Sequence, residues 1–348
     1  MYGEGWELRR VQRTGGTFFI TLPKDWARRW GIKKGTQIAM RMREDGCLIL
    51  DPSLAYRRDL RRVLVNHHGG NVDYIDWGVT GAYLLGYDDI CIKFPRSIEP
   101  RERERIRGVI RRLIGLEIIE ESSNTIRTQC LLDPSTLPPE RMLRRMSLIT
   151  LSMLRDSFTA LREGKPNLAE VVISRDDEVD RLYFLLIRVI RSAIQSPKLA
   201  EELGVTPIEC LDYRVVAALI ETAADYISEM AGETLSLIPL PPHRTLLKRL
   251  REVEETLSGM QLSSIEGFLT RRLKALEETR RGYQSLLNTL SSIKRGLKDV
   301  EKFPSLLPLL SLLDKIGRCY VDVADLIMPR EILIDVEAQG VKTPRSSL

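Results

Sequence analysis

The spacing of apolar residues changes character near the middle of the chain. Before residue 134 apolar positions come in short runs broken by glycine and proline. After it they recur every three or four residues over long stretches. These are the patterns of strands with short helices, and of long helices, respectively. Within the first fifty residues, 7–13 and 17–22 read as strands flanking Gly15-Gly16, a strong turn signal. Residues 23–30 read as a short helix with Pro23 near its first position and Gly31 ending it. A second hairpin follows over 37–42 and 46–50, about Asp45-Gly46. Four short strands and one turn of helix build little core, and such a unit usually needs a second copy.

Residues 54–133 alternate between the two patterns, with 61–66 a short strand or helix end, a helix at 71–86 and a strand at 89–94. A helix at 99–114 and a hairpin of 116–121 with 125–132 complete a small α/β or α+β unit without catalytic spacing. His67-His68-Gly69-Gly70 reads as a loop before the first of these helices. The mixed-sign run RERERIRGVIRR reads as a solvent-facing helix paired within itself. Beyond Pro134, Pro138 and Pro139 the chain turns wholly helical, over 140–162, 167–196 and 208–237. After a break at Pro239, Pro241 and Pro242 come 246–257, continuing or broken near Gly259, then 265–297 and 304–328. Three helices, a proline break and three more imply an internal duplication. The tail after Pro329 loses periodicity.

The 167–196 helix carries a seam of Leu168, Val172, Val179, Leu182, Leu186, Val189 and Ala193. At 100° per residue, Asp176 and Asp180 fall on the shoulder of that seam and Asp177 points away. The 208–237 helix carries Glu221 and Asp225 on a face shared with Ala217, Ala218, Ala224 and Ser228. Acids at i and i+4 lie one above the other and destabilise a lone helix by a few tenths of a kcal/mol. Such pairs are common on solvent faces, but two pairs on consecutive helices suggest a compensating cation. Oxygen-only ligation favours hard ions, including iron, manganese, magnesium and calcium.

At 348 residues, 43% hydrophobic and 29% charged, the composition is that of a soluble globular protein of two or three domains. The longest C-terminal apolar run, SLLPLLSLL, is interrupted by Pro308 and far short of the ~20 residues that span a bilayer. No membrane insertion is expected, and the absence of an apolar signal segment points to a cytoplasmic protein. Five scattered cysteines suit buried thiols in a reducing compartment. Three histidines exclude a histidine-rich metal site. Charge is more telling by position: residues 1–50 hold ten basic residues against five acids, and this equals the net charge of +5 of the whole chain. A basic head on a neutral body points to a polyanion at the N-terminus.

The stretch LRRVQRTGGTFFITLPKDWARRWGIKKGTQIAMRMREDGCLIL resembles a SpoVT/AbrB-type swapped-hairpin DNA-binding domain. The resemblance implies a homodimer through interleaved hairpins, with Arg9, Arg10, Arg13, Lys24, Arg28 and Arg29 facing double-stranded DNA. An antitoxin of the same fold would carry a short disordered tail in place of the long ordered body. The motifs DDEVD and ETAAD, set in a three-helix repeat over residues 140–328, resemble PhoU. That resemblance implies phosphate-uptake regulation and a metal held by Asp176, Asp180, Glu221 and Asp225: a divalent or trivalent ion with oxygen ligands, iron, manganese, magnesium or zinc. In the second repeat the position matching Glu221–Asp225 reads Asp314-Lys-Ile-Gly-Arg318, so at most one good site per chain is expected.

Together the resemblances imply a multidomain, archaeal-type phosphate-uptake regulator. Its parts are a swapped-hairpin β domain (1–53), an α/β connector (54–133), an all-α body of two three-helix repeats (134–238 and 239–329, the second degenerate) and a tail (330–348). The competing reading is a cytosolic helical adaptor on a phosphate ABC transporter, without specific DNA binding. No Glu-x-x-His pairing supports a carboxylate-bridged metalloenzyme, so a regulator is expected and not an enzyme.

Overall fold

A computed structural model describes residues 7–42, 46–52, 60–67, 73–238, 244–296 and 306–327. Contacts divide the chain into two compact units, Met1–Asp59 and Leu60–Leu348. The first is a small β unit. Strands β1 (Gln12–Thr14) and β2 (Thr17–Phe19) form an antiparallel hairpin turned by Gly15 and Gly16, both at positive φ. Helix α1 (Lys24–Arg29) follows Pro23, and β3 (Ala39–Met42) pairs antiparallel with β4 (Leu48–Asp51). The Asp45 turn expected between them lies outside the described residues. The two hairpins form separate sheets, and no described residue of this unit is buried. Phe18, Ile20, Met40, Met42 and Leu48 all face solvent in the single chain.

The second unit opens with an α/β layer. Its elements are β5 (Arg62–Asn66), α2 (Asp73–Leu84), β6 (Asp89–Lys93), α3 (Pro100–Arg112), β7 (Leu116–Glu121) and β8 (Thr125–Cys130). The sheet order is β5-β6-β8-β7, with β5 parallel to β6 and the remaining pairs antiparallel. The loop residues 68–72 lie outside the described residues, while His67 is buried against Phe94. Helix α3 differs from the expectation of a solvent-facing helix paired within itself. Ile106, Val109 and Ile110 are buried, and its arginines reach other elements: Arg105 pairs with Asp73 and Asp76, and Arg103 and Arg107 with Glu121. Among the described residues, only Glu104–Arg111 is an ion pair within the helix. A charged helix with one apolar stripe docks that stripe and places its charges at the rim of the contact.

The helical body comprises α4 (Pro139–Glu163), α5 (Pro166–Gln195), a short α6 (Pro197–Leu203), α7 (Pro207–Leu237), α8 (Arg244–Thr270), α9 (Lys274–Gly296) and α10 (Leu306–Asp325). The first four each begin with proline at the first turn, where its missing N–H costs nothing. Helices α4, α5 and α7 pack as one triple and α8, α9 and α10 as another, joined where α7 meets α10 and α4 meets α8. One apolar core runs through both triples. The expected helix over 265–297 is corrected. Helix α8 runs through the exposed Gly259 and ends at Thr270, and Arg271 turns the chain at φ 56° before α9. Residues 328–348, including the expected tail, lie outside the described residues.

Candidate metal centre and nucleic-acid face

Helices α5 and α7 are antiparallel neighbours whose buried seams meet. Val172, Val179, Leu182 and Leu186 on α5 are buried, as are Ala217, Ile220, Ala224 and Ile227 on α7. The alanines on α7 keep the two backbones close. Beside this seam the acids stand half-buried, while Asp177 is exposed on the outer side. One carboxylate oxygen from each of Asp180, Glu221 and Asp225 lies within 4.8 Å of the others. Asp176 falls outside that set but within its field. Its Oδ1 is buried without a hydrogen bond, and Ser228 is the hydroxyl beside it.

Crowding of unpaired carboxylates out of water makes them harder to ionise. Burial, then the charges of Asp225 and Asp180, push Glu221 up to about 7. Burial and the same two neighbours push Asp176 up to about 6. Asp180 and Asp225 are raised as well, chiefly by burial. Arg112, at the end of α3, is the cation that offsets Asp180 among the described residues, and it also offsets Asp76. Nothing in the spacing along the chain signals that an arginine from the α/β layer would face this cluster. Three convergent oxygens with a fourth carboxylate alongside fit a hard cation that completes its shell with water.

The second triple offers no equivalent among the described residues. The Tyr283 hydroxyl donates to Asp314 Oδ1 at 2.7 Å, and Arg318 Nε lies 3.4 Å from Asp314 Oδ2. Lys315 sits 5.0 Å above the ring of Tyr226. The carboxylate that would begin a second site is thus already paired.

In the β unit, Arg9, Arg10, Arg13, Lys24, Arg28 and Arg29 are all exposed. Arg9 pairs with Glu7, Arg28 lies 3.5 Å from Asp25, and Arg13 lies 5.5 Å from the ring centre of Phe18. Lys33 and Lys34, in the turn after α1, are exposed too and extend the basic surface. Long cationic side chains on a small β scaffold are suited to phosphate neutralisation.

Comparison with known proteins gives each part a relative. Residues 143–234 match the family model described as PhoU domain, a span that holds all four acids of the cluster. Residues 11–57 match the model described as antidote-toxin recognition MazE, bacterial antitoxin. Among solved structures, PhoU from Pseudomonas aeruginosa is similar at 14% identity, over 56% of this chain and 95% of that one, with a TM-score of 0.48. The phosphate transport system regulatory protein PhoU from Streptococcus pneumoniae is similar at 11% identity, over 59% and 96%, with a TM-score of 0.46. No curated protein matches the chain. The chain is thus similar to a MazE-type domain near its N-terminus and to a PhoU domain in its helical body.

Proposed function

We propose that this chain is a DNA-binding transcriptional regulator of phosphate uptake and phosphate homeostasis, acting as a homodimer through its β unit. The observation that carries the reading is the union of two parts in one polypeptide. One is a basic β unit matched to a MazE-type model, and the other is a body matched to the PhoU domain. Dimerisation is supported by the apolar side chains of the β unit, which have no core of their own in one chain. Burying them needs a second copy. In this reading the basic residues of both copies face one duplex.

The body binds a divalent or trivalent metal through Asp180, Glu221 and Asp225, with Asp176 positioned to join them. The ion supplies positive charge that lets the cluster ionise and draws α5 and α7 together. Its role is a signal or a strut, and the change in packing of the body alters the affinity of the head for DNA.

A salt titration of DNA binding tests the regulator reading. Phosphate contacts give a slope of log K against log salt of about −0.9 per phosphate neutralised. A steep slope that flattens on Arg9→Ala, Arg10→Ala and Arg28→Ala is the expected result. A flat slope in the wild type would overturn it and leave the helical-adaptor reading.

A further inference from the structure

The two edges of the four-stranded sheet in the α/β layer are built differently. At one end β7 carries Glu117, Glu120 and Glu121 and breaks its register by a bulge between Ile118 and Glu120. Edge charges and bulges are the devices that keep a strand edge from pairing with another chain. At the other end β5 reads Arg-Val-Leu-Val-Asn in regular register with β6, with neither bulge nor acid nor proline. Its one charge, Arg62, is turned toward Asp89, with Nε 3.4 Å from Oδ2.

The direction of the free backbone groups on β5 follows from its bonds to β6. Asp88 and Asp89 donate to the carbonyl of Arg61, and the N–H of His67 donates to Lys93. Residues 61 and 67 thus turn their polar groups inward. By the alternation of a strand so do 63 and 65, which leaves the N–H and C=O of Arg62, Leu64 and Asn66 pointing off the edge. Leu64 is 51% exposed at the centre of this set. Helix α2 rests on the same strand, Gly78 against Val65, and leaves Tyr74 and Trp77 exposed beside that contact.

We propose that β5 pairs antiparallel with β5 of a second copy about a two-fold axis through Leu64, making one continuous eight-stranded sheet. The edge is complementary to itself. Leu64 faces its own counterpart, and Arg62 faces Asn66, so no like charges meet. All three outward residues fall in hydrogen-bonded pairs, about six backbone bonds in total. The choice of a second copy as occupant rests on the dimeric head proposed above. Seven residues, 53–59, separate the described end of the head at Pro52 from Leu60. At roughly 3.3–3.6 Å per residue they reach less than about 30 Å. A head dimer therefore holds two β5 strands at an effective concentration on the order of millimolar.

Cross-linking of the full chain tests this. Cys91 is the register partner of Leu64 on β6, and Cys47 is exposed, so both are first replaced by serine. In that background Leu64→Cys is compared with Ile119→Cys on the guarded edge, under mild oxidation, with mass spectrometry of the product. Hydrogen-bonded antiparallel partners stand about 5.5 Å apart at Cα, inside the range a disulfide spans. The expected result is a disulfide dimer from Leu64→Cys alone. In the wild-type background, Leu64→Lys should weaken dimerisation at least tenfold by sedimentation, with an unchanged circular dichroism spectrum. A dimeric Leu64→Cys chain whose introduced thiols stay reduced, together with a dimer affinity that ignores Leu64→Lys, would overturn the edge pairing and leave the head dimer standing. A chain that is monomeric at every concentration would overturn both.

Discussion

Arg188 and Asp88 form an ion pair of 2.7 Å in which both side chains are almost wholly buried, 3% and 2% exposed. The same guanidinium donates to the carbonyls of Tyr83 and Tyr87 and stacks 4.9 Å from the ring centre of Tyr83. Asp88 in turn accepts from the backbone N–H of Arg61 at 3.1 Å. Arg61 bonds the carbonyl of Leu85 and the side-chain amide of Gln195. The α/β layer is therefore fixed to the C-terminal half of α5 by the Arg188–Asp88 pair, shut away from water, and by the Arg61 bond to Gln195 nearer the surface.

Arg188→Met leaves the Asp88 carboxylate buried without its cation, and should destabilise the chain by about 3–5 kcal/mol. The double variant Arg188→Met with Asp88→Leu should regain much of that loss, because two apolar groups need no partner. Chemical denaturation of the three proteins measures the coupling. Additive losses would show that the pair is not the link.

In the metal-free protein the acidic cluster makes stability depend on pH. Glu221 titrates at about 7 and Asp176 at about 6, both above the ordinary carboxylate range of the unfolded chain. The native state thus binds more protons than the unfolded state between pH ~4 and ~7, so stability falls as pH rises. It is fully present below ~4 and lost through about 7. Thermal melts in chelator should shift downward from pH ~5 to pH ~8, and Asp180→Asn should flatten the trend. Added metal should reverse the trend, since its binding competes with the same protons.

Elemental analysis gives the direct reading of the site. Wild-type protein should carry a metal that Asp180→Asn and Asp225→Asn lose, while Asp177→Asn retains it. Equal content in all four proteins would retire the metal centre.

Two glycines test the packing of the second triple from opposite sides. A Cβ at Gly317 would lie 2.5 Å from Leu286 Cδ2 and 3.2 Å from Tyr283 Cδ2, so Gly317→Ala should cost about 1–3 kcal/mol. A Cβ at Gly259 meets nothing within 4 Å, and Gly259→Ala should stabilise α8 by about 0.5–1 kcal/mol. Urea midpoints of the two variants should move in opposite directions.

The contrast between these glycines also marks what could be read from the chain. At Gly259 the pattern leaves a continuing and a broken helix open, because glycine weakens a helix; the helix continues, with Gly259 on the solvent face and Val253, Leu257, Met260 and Ile265 holding it. The actual turn falls at Arg271, a residue type that gives no warning of left-handed backbone. The pattern places the starts of α4, α5 and α7 within a residue of Pro139, Pro166 and Pro207, but gives no sign of the short α6 at Pro197. Helical rotation separated Asp176 and Asp180 from Asp177, and residue spacing placed Glu221 and Asp225 on one face. That Asp180, Glu221 and Asp225 converge was only an expectation until α5 and α7 were seen side by side. Arg112 could not be found, since it arrives from a helix some seventy residues upstream. Arg188 carries a signal in the sequence. It is a single arginine inside Leu185-Leu186-Ile187 and Val189-Ile190, where a buried cation demands a buried acid. The partners of α3 were misplaced for a related reason: spacing within one helix says nothing about acids on α2 and β7.

The pairing of Asp314 with Tyr283 and Arg318 bears on how the body can respond to a ligand. On the proposed reading, with one such centre among the described residues, each chain titrates along a hyperbola, and half-saturation to near-saturation takes a wide span of concentration. Any sigmoid response has to arise between copies. Dilution below the dimer constant should then restore a Hill coefficient of one, which makes steepness itself a report on assembly.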